Sequence, residues 1–317
     1  MLWNGRDVSS TTKQIWVFTI AATMDWDHLI DRAQAYGRLM RLHRPIGTLL
    51  LLWPVLWALW IAAAGVPDLQ VLAVFLLGTL SMRSAGCVIN DYADRNIDAH
   101  VERTKDRPFA TETVSATEAL VLFAALVAVS ATLVLTMNRL TIELAFGGVA
   151  LAIIYPFMKR HTYIPQIFLG VAFGWGVPMA FAAQTNSLPN ITWAVMAAAV
   201  LWAMIYDTEY AMVDRDDDLR LGMKSTAILF DDADRTFIAA FQCMMLFGLA
   251  IIGREARLGW PYVVALLVCA GMAAYQQYLI HDRTPEKCFD AFMNNNWYGA
   301  VVFAGIAGSY GLMSGSY

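Results

Sequence analysis

Charge is scarce in this sequence. Only 15% of its 317 residues are Asp, Glu, Lys or Arg, where an ordinary soluble domain carries roughly a quarter, so a water-facing surface for a chain of this size cannot be built. A basic excess is also missing: the formal net charge is −4 and the isoelectric point about 5.7, which leaves no global basic face for nucleic acid. The four cysteines, Cys87, Cys243, Cys269 and Cys288, show no CxxC spacing of a zinc or redox centre and read as small packing residues. His28, His43, His100, His161 and His281 form no HxxxH or HxxE pair, so no zinc or di-iron site is suggested. No glycine-rich phosphate loop is present, which argues against a nucleotide triphosphate site.

What fills the chain instead is apolar: 58% of residues are hydrophobic and the mean hydropathy is +0.51. Apolar runs of about 16–22 residues recur, close to the length that crosses a hydrocarbon core of roughly 30 Å. Long continuous runs suit helices, not the alternating strands of an outer-membrane barrel, because a spanning backbone must satisfy its own hydrogen bonds. The fold class expected is all-α, a polytopic bundle of about nine transmembrane helices at 47–64, 69–89, 116–137, 141–157, 165–183, 191–206, 236–253, 261–280 and 297–313. Residues 1–23 include a short apolar run, Ile15 to Ala22, too short to span and without a convincing cleavage site. The polar stretch from Asp25 to Arg44 reads as an amphipathic helix lying at the membrane interface before the chain dives at Pro45 and Gly47.

Lysine and arginine are divided unevenly. One alternating set of connections holds nearly all of them, among them Arg41, Arg44, Arg95, Arg107, Lys159, Arg160, Arg215 and Lys224, whereas the other holds Arg139, Arg254 and Arg257. By the positive-inside rule the crowded face, with the amino terminus, is cytoplasmic and the carboxyl terminus lies opposite.

Two connections on that crowded face are dense in acids, and each follows an apolar span. The first is Asn90-Asp91-Tyr92-Ala93-Asp94-Arg95-Asn96-Ile97-Asp98; the second runs from Tyr206 and Asp207 to Asp214-Arg215-Asp216-Asp217-Asp218. At 100° per residue Asp91, Asp94 and Asp98 share one helical face, and so do Asp207, Asp214 and Asp218. A solvated loop scatters its acids; phased like charges repel unless a cation neutralises them. Oxygen-only clusters suit Mg²⁺, which takes one or two carboxylates and completes its shell with water and phosphate. Two such clusters are the arrangement expected for Mg²⁺ bridging to a diphosphate, where the metal assists the leaving group. Arg95, Lys159 and Arg160 bring nearby cations to such a site. Arg83 lies inside the second span, where a guanidinium facing lipid costs roughly 2.5–3.5 kcal/mol, so it faces protein or a cavity. It is either an anion contact, a clamp on Asn90 or Asp94, or a structural partner of another helix.

These segments resemble the signatures of the UbiA superfamily of intramembrane prenyltransferases: NDxxDxxxD at Asn90 to Asp98 and DxxxD at Asp214 to Asp218. The similarity narrows to the bacterial branch that acts on 4-hydroxybenzoate through RLHRPIGTLLLLWPVLWALW (41–60), MRSAGCVINDYADRNIDAH (82–100), YPFMKR (155–160), FGWGVPMAFAA (173–183), YDTEYAMVDRDDDLRLGMKSTAILF (206–230) and FMNNNWYG (292–299). It runs from Met24 to the end, so residues 1–23 stand before the usual start of a single domain, 24–317. The resemblance implies a helix bundle around a cavity in the bacterial cytoplasmic membrane, open to membrane lipid. The implied reaction is transfer of an all-trans polyprenyl group from polyprenyl diphosphate to the carbon ortho to the phenol of 4-hydroxybenzoate, with Mg²⁺. It implies Asn90, Asp94, Asp98, Asp214 and Asp218 as holders of Mg²⁺ and diphosphate, with Asp91 beside them. Lys159 would meet the diphosphate and Arg160 the acceptor's carboxylate, with Tyr155 in the same segment as a substrate contact. Asp91 and Asp207 are both open as the general base, and no protein partner is implied. A sibling enzyme with another acceptor is the nearest alternative. A transporter is disfavoured because the acids sit at one membrane face, not at mid-depth.

Overall fold

Among the described residues all regular structure is helical. The computed structural model describes residues 26–98, 108–109, 111 and 113–314, with no strand among them, and the extension 1–23 lies outside the described residues. The helices are α1 (Trp26–Leu39), α2 (Ile46–Ala63), α3 (Leu69–Asp98), α4 (Ala116–Val134), α5 (Arg139–His161), α6 (Pro165–Gly174), α7 (Gly176–Thr185), α8 (Asn190–Val213), α9 (Arg215–Leu221), α10 (Thr226–Phe230), α11 (Asp234–Glu255), α12 (Trp260–Leu279) and α13 (Pro285–Ser314).

Nine spans are expected from the sequence. Among the described residues seven segments are long and apolar enough to cross a membrane: α2, the part of α3 from Leu69 to Ala93, α4, α6 with α7, α8, the stretch from Thr226 to Glu255, and that from Trp260 to Asp282. The other two expected spans are helical as well, within α5 and α13. α13 is long but polar in its first half, from Glu286 through Asn296, which lowers its hydropathy. The protein is a multi-pass helical membrane protein.

The fifth expected span, 165–183, is two helices instead of one. Pro178 has no N–H to donate to the carbonyl of Gly174 four residues back, and its ring crowds that carbonyl, so α6 ends at Gly174 and Trp175 stands between it and α7. The Trp175 indole N–H donates to the carbonyl of Leu144 at 2.8 Å. Its ring lies across Gly147 and Gly148 of α5, where an added Cβ would come within 2.7 and 3.1 Å of it. The glycines make room for the ring that marks the break.

α8 is the hub. It packs against α2, α6, α7, α11 and α13, and 56% of its most apolar window is buried, against 6% for α4. α4 therefore presents its side chains to lipid, and α8 meets protein on nearly every side. The core around α8 is aromatic: Trp57 of α2 and Trp202 of α8 have ring centroids 5.2 Å apart. In hydrocarbon each indole N–H needs an acceptor, and α13 supplies them. Trp53 donates to Asn296 Oδ1 at 3.0 Å, Trp57 to the Gly299 carbonyl at 3.1 Å, and Trp202 to Asn295 Oδ1 at 2.9 Å.

The amphipathic stretch expected at the interface is α1. Its inner face, Ala35 and Leu39, joins Val88 of α3 and Ala119 of α4 in a small second core. Arg32 pairs with Glu118 and donates to the Thr113 carbonyl at 2.7 Å. Glu118 also closes a capping box with Ser115 that starts α4, so one carboxylate both caps a helix and holds α1 down.

Candidate active site

α3 runs unbroken through Asp98, so the NDxxDxxxD backbone is helical and the expected phasing of its acids stands for the main chain. The side chains of Asp94 and Asp98 lie outside the described residues, as do those of Lys159 and Arg160, whose backbone forms the last turn of α5. Asn90 is half-buried. Asp91 is only 1% exposed and accepts a 2.6 Å hydrogen bond from Arg41 Nη2. Arg95 is exposed; it donates to the Tyr92 carbonyl at 2.7 Å and lies 4.4 Å from the centre of the Tyr92 ring, so its charge faces the rim.

The second acidic segment departs from the continuous helix expected for it. α8 ends at Val213 and Asp214 sits at the junction with φ −90° and ψ 4°. The Asp218 amide still donates to the Asp214 carbonyl at 2.9 Å, so the two acids remain one turn apart, both half-buried, while Asp216 and Asp217 are exposed. Among the described residues no three His, Cys, Asp or Glu side chains form a ready metal-binding group. Asp214, Asp218 and Asn90 do offer the hard oxygen donors that Mg²⁺ takes in ones and twos beside a phosphate.

One end of the bundle gathers most of the described candidates. The Arg41 guanidinium on the α1–α2 turn pairs with Asp91 of α3 and lies within electrostatic reach of Tyr210 of α8. Burial, the largest single influence, works against its charge, but the charge and hydrogen bond of Asp91 together with Cys87 and Tyr210 hold the guanidinium above its ordinary pKa. Tyr206 of α8, fully buried, has Asp207, Tyr155 of α5 and Arg83 of α3 within the same reach. Arg83 donates to Cys87 Sγ at 2.9 Å. Asp207 is half-buried.

Arg41 is the residue that the sequence reading passed over, counting it only as an interfacial charge. Its backbone takes φ 55°, a left-handed conformation that glycine adopts without cost, and the Leu42 amide closes the end of α1 on the Gly37 carbonyl at 3.0 Å. From that turn the Arg41 side chain reaches the buried Asp91. Glu209 was likewise unremarked: it is fully buried in α8 and its Oε2 accepts from Asn295 Nδ2 at 2.7 Å. The signal for both was an ionisable residue beside or inside an apolar run.

A cluster of charges steadies the second acidic segment from behind. Asp234, fully buried at the start of α11, receives Arg283 Nε on both oxygens at 3.1 and 3.0 Å and Arg283 Nη2 on Oδ1 at 2.8 Å. Arg215, next to Asp214, pairs with Asp231 and lies 3.8 Å from Asp234. The chain carrying Asp214 and Asp218 is thus tied to α11 and to the turn before α13.

The sequence pattern of the UbiA prenyltransferase family matches residues 51–299, most of the chain. This protein belongs to that family. The 4-hydroxybenzoate octaprenyltransferase of Saccharophagus degradans is 57% identical over 86% of this chain and 91% of its own length. The enzyme of that name from Methylococcus capsulatus is 58% identical over 88% of this chain and 96% of its own. Among solved structures, a UbiA homolog from Aeropyrum pernix K1 superposes with a TM-score of 0.73 at 23% identity, covering 82% of this chain and 97% of that one. A UbiA homolog from Archaeoglobus fulgidus, bound to GPP and Mg²⁺, has a TM-score of 0.64 at 19% identity, covering 84% and 99%. At those identities the structures establish a shared UbiA fold.

Proposed function

We propose that this protein transfers an all-trans polyprenyl group from polyprenyl diphosphate to the carbon ortho to the phenol of 4-hydroxybenzoate, a step of ubiquinone biosynthesis. The observation that carries the reading is identity of 54–58% over nearly the whole length of relatives that bear that activity's name. The convergence of both acidic segments on one end of the bundle supports it. The distribution of lysine and arginine supports a place in the bacterial cytoplasmic membrane with that end facing the cytoplasm. Residues 24–317 act as one domain, preceded by an extension.

Asn90, Asp94, Asp98, Asp214 and Asp218 are the residues we assign to Mg²⁺ and diphosphate, Mg²⁺ being the cofactor of the reading. When bound there, Mg²⁺ supplies positive charge to the departing diphosphate. Lys159 and Arg160, at the end of α5, bring further cations to the same mouth, and Arg160 is also the residue that the family resemblance offers for the acceptor's carboxylate. Departure of diphosphate leaves an allylic cation at C1 of the prenyl chain. The electron-rich carbon ortho to the phenol attacks it, and the ring proton is then lost to a base. Asp207, half-buried next to Tyr206, and Asp91, paired with Arg41, are the two carboxylates we put forward for that step. An apolar cavity around C1 would keep water from capturing the cation.

Mass-spectrometric product analysis tests this. Membranes containing the protein, given 4-hydroxybenzoate, Mg²⁺ and a long-chain polyprenyl diphosphate, should form the 3-polyprenyl acid. Product from a naphthoate but none from 4-hydroxybenzoate would overturn the assignment.

A further inference from the structure

The end of the bundle away from the acids holds a cavity that the reaction leaves unused. α8 carries Asp214 at one end and Pro189 at the other, and at 1.5 Å per residue its length sets them roughly 36 Å apart. Around Pro189 the last turns of α2, α7, α11 and α13 enclose a space of about 340 Å³, the size of a small-molecule site. Its floor is apolar: Ile61, Phe181, Ile191 and Tyr310 are all buried. Its rim is polar, with Thr185, Ser187 and Glu255 exposed. The level of the cavity in the bilayer follows from α2. The 18 residues of that helix span about 27 Å, close to the thickness of the hydrocarbon core. Ile61 therefore lies at the edge of the hydrocarbon and Ala64, which ends the helix with φ 49°, among the headgroups. Both line the cavity, so it crosses the boundary between acyl chain and headgroup.

Charge decides the occupant. On this face Arg139 pairs with Glu143, but Arg254, Glu255 and Arg257, all exposed on the turn after α11 or at its end, make no ion pair among the described residues. Glu255 lines the cavity. The Thr185 hydroxyl beside it donates to the Phe181 carbonyl at 2.8 Å, which leaves its oxygen able to accept. A carboxylate with hydroxyl oxygens next to it fits an ammonium, which has three N–H groups to give. Two guanidinium groups flanking that carboxylate along the chain fit a phosphate a short distance from the ammonium. A choline headgroup carries the same charges but has no N–H to donate.

We propose that this cavity binds the headgroup of phosphatidylethanolamine from the leaflet away from the acids, its ammonium on Glu255 and the Thr185 and Ser187 oxygens, its phosphate on Arg254 and Arg257. The bound lipid supplies what that end of the bundle lacks. The ion pairs that join one helix to another, among them Arg32–Glu118, Arg41–Asp91 and Arg283–Asp234, belong to the acidic end, whereas Arg139–Glu143 stays within α5. A headgroup seated among the ends of α2, α7, α8, α11 and α13 links them from outside.

Native mass spectrometry of the detergent-solubilised full chain, titrated with phosphatidylethanolamine and with phosphatidylcholine of the same acyl chains, tests this. Wild type should bind the ethanolamine lipid about fivefold more tightly than the choline lipid, the scale of an ion pair open to water. Glu255→Gln keeps an acceptor oxygen and loses the charge; because Glu255 is exposed the variant folds, and it should bind the two lipids alike. Arg254→Gln with Arg257→Gln should weaken both lipids together. Wild-type affinities for the two lipids within about twofold of each other, or a preference that survives Glu255→Gln, would overturn the proposal. Binding of both lipids unchanged in the double arginine variant would overturn the phosphate contact. Glycerophosphoethanolamine, the headgroup without its acyl chains, should compete only weakly; competition equal to that of the lipid would overturn the lipid as occupant in favour of a free amine.

Discussion

Replacing Arg283 by Met should destabilise the protein from behind the second acidic segment. Asp234 is fully buried and takes three of its hydrogen bonds from that one guanidinium, which also donates to the Asp232 carbonyl at 2.7 Å. Removing one partner of a buried pair costs about 3–5 kcal/mol because the other charge is stranded. Two features lower that here: the Arg283 side chain is 32% exposed, so water already screens part of the interaction, and Arg215 remains 3.8 Å from the same carboxylate. A loss of about 2–3 kcal/mol is expected, which at roughly 2 °C per kcal/mol for a chain of this length is a fall of about 4–6 °C in the unfolding temperature. Thermal unfolding of detergent-solubilised protein measures it. Because Arg215 follows Asp214 directly, the Mg²⁺ concentration giving half-maximal activity should rise as well. The double variant Asp234→Asn with Arg283→Met removes the stranded charge and should recover part of the loss. A change under about 1 °C in the single variant, or a double variant no more stable than the single, would refute the clamp.

Asp94→Ala and Asp214→Ala should each retain less than about a tenth of wild-type turnover, a barrier increase above roughly 1.4 kcal/mol, at unchanged abundance in the membrane; activity above that level in either would remove it from the diphosphate site. Arg41→Met should take from the buried Asp91 carboxylate its guanidinium partner and lower folded protein in the membrane, by the same argument discounted in the same way for an Arg41 side chain 30% exposed, about 2–3 kcal/mol, and adding Asp91→Asn should restore part of it. If the double variant accumulates normally yet is inactive, Asp91 has a part in the chemistry beyond pairing. A chain beginning at Met24 should insert and support ubiquinone synthesis as the full chain does, and a loss at equal expression would give residues 1–23 a role.

Composition and periodicity were enough to reveal that this chain is an all-helical membrane protein, because in hydrocarbon the backbone has few ways to satisfy itself and long apolar runs report them directly. The two acidic segments were legible for a related reason: carboxylates clustered at the ends of apolar spans are costly unless they serve a charge. Local chemistry also located α1 and the start of α2, where Pro45 and Gly47 break the interfacial stretch. What the sequence could not decide is which distant groups meet. Arg41 looked like one more cytoplasmic charge until α1 was seen to bring it onto Asp91, fifty residues away. Asp234 and Arg283, and likewise Glu209 and Asn295, find each other across helices whose order in the chain carries no record of their neighbours in space. The interruption at Asp214 is a tertiary decision as well, whereas the break at Trp175 was within reach of the sequence, because Pro178 removes a hydrogen bond from the helix that contains it. Arg83 shows the division most clearly: its depth in the span was evident from its position, but only the tertiary structure sets Gly47 against its guanidinium, because burial, not sequence separation, sets what a charge must be packed with.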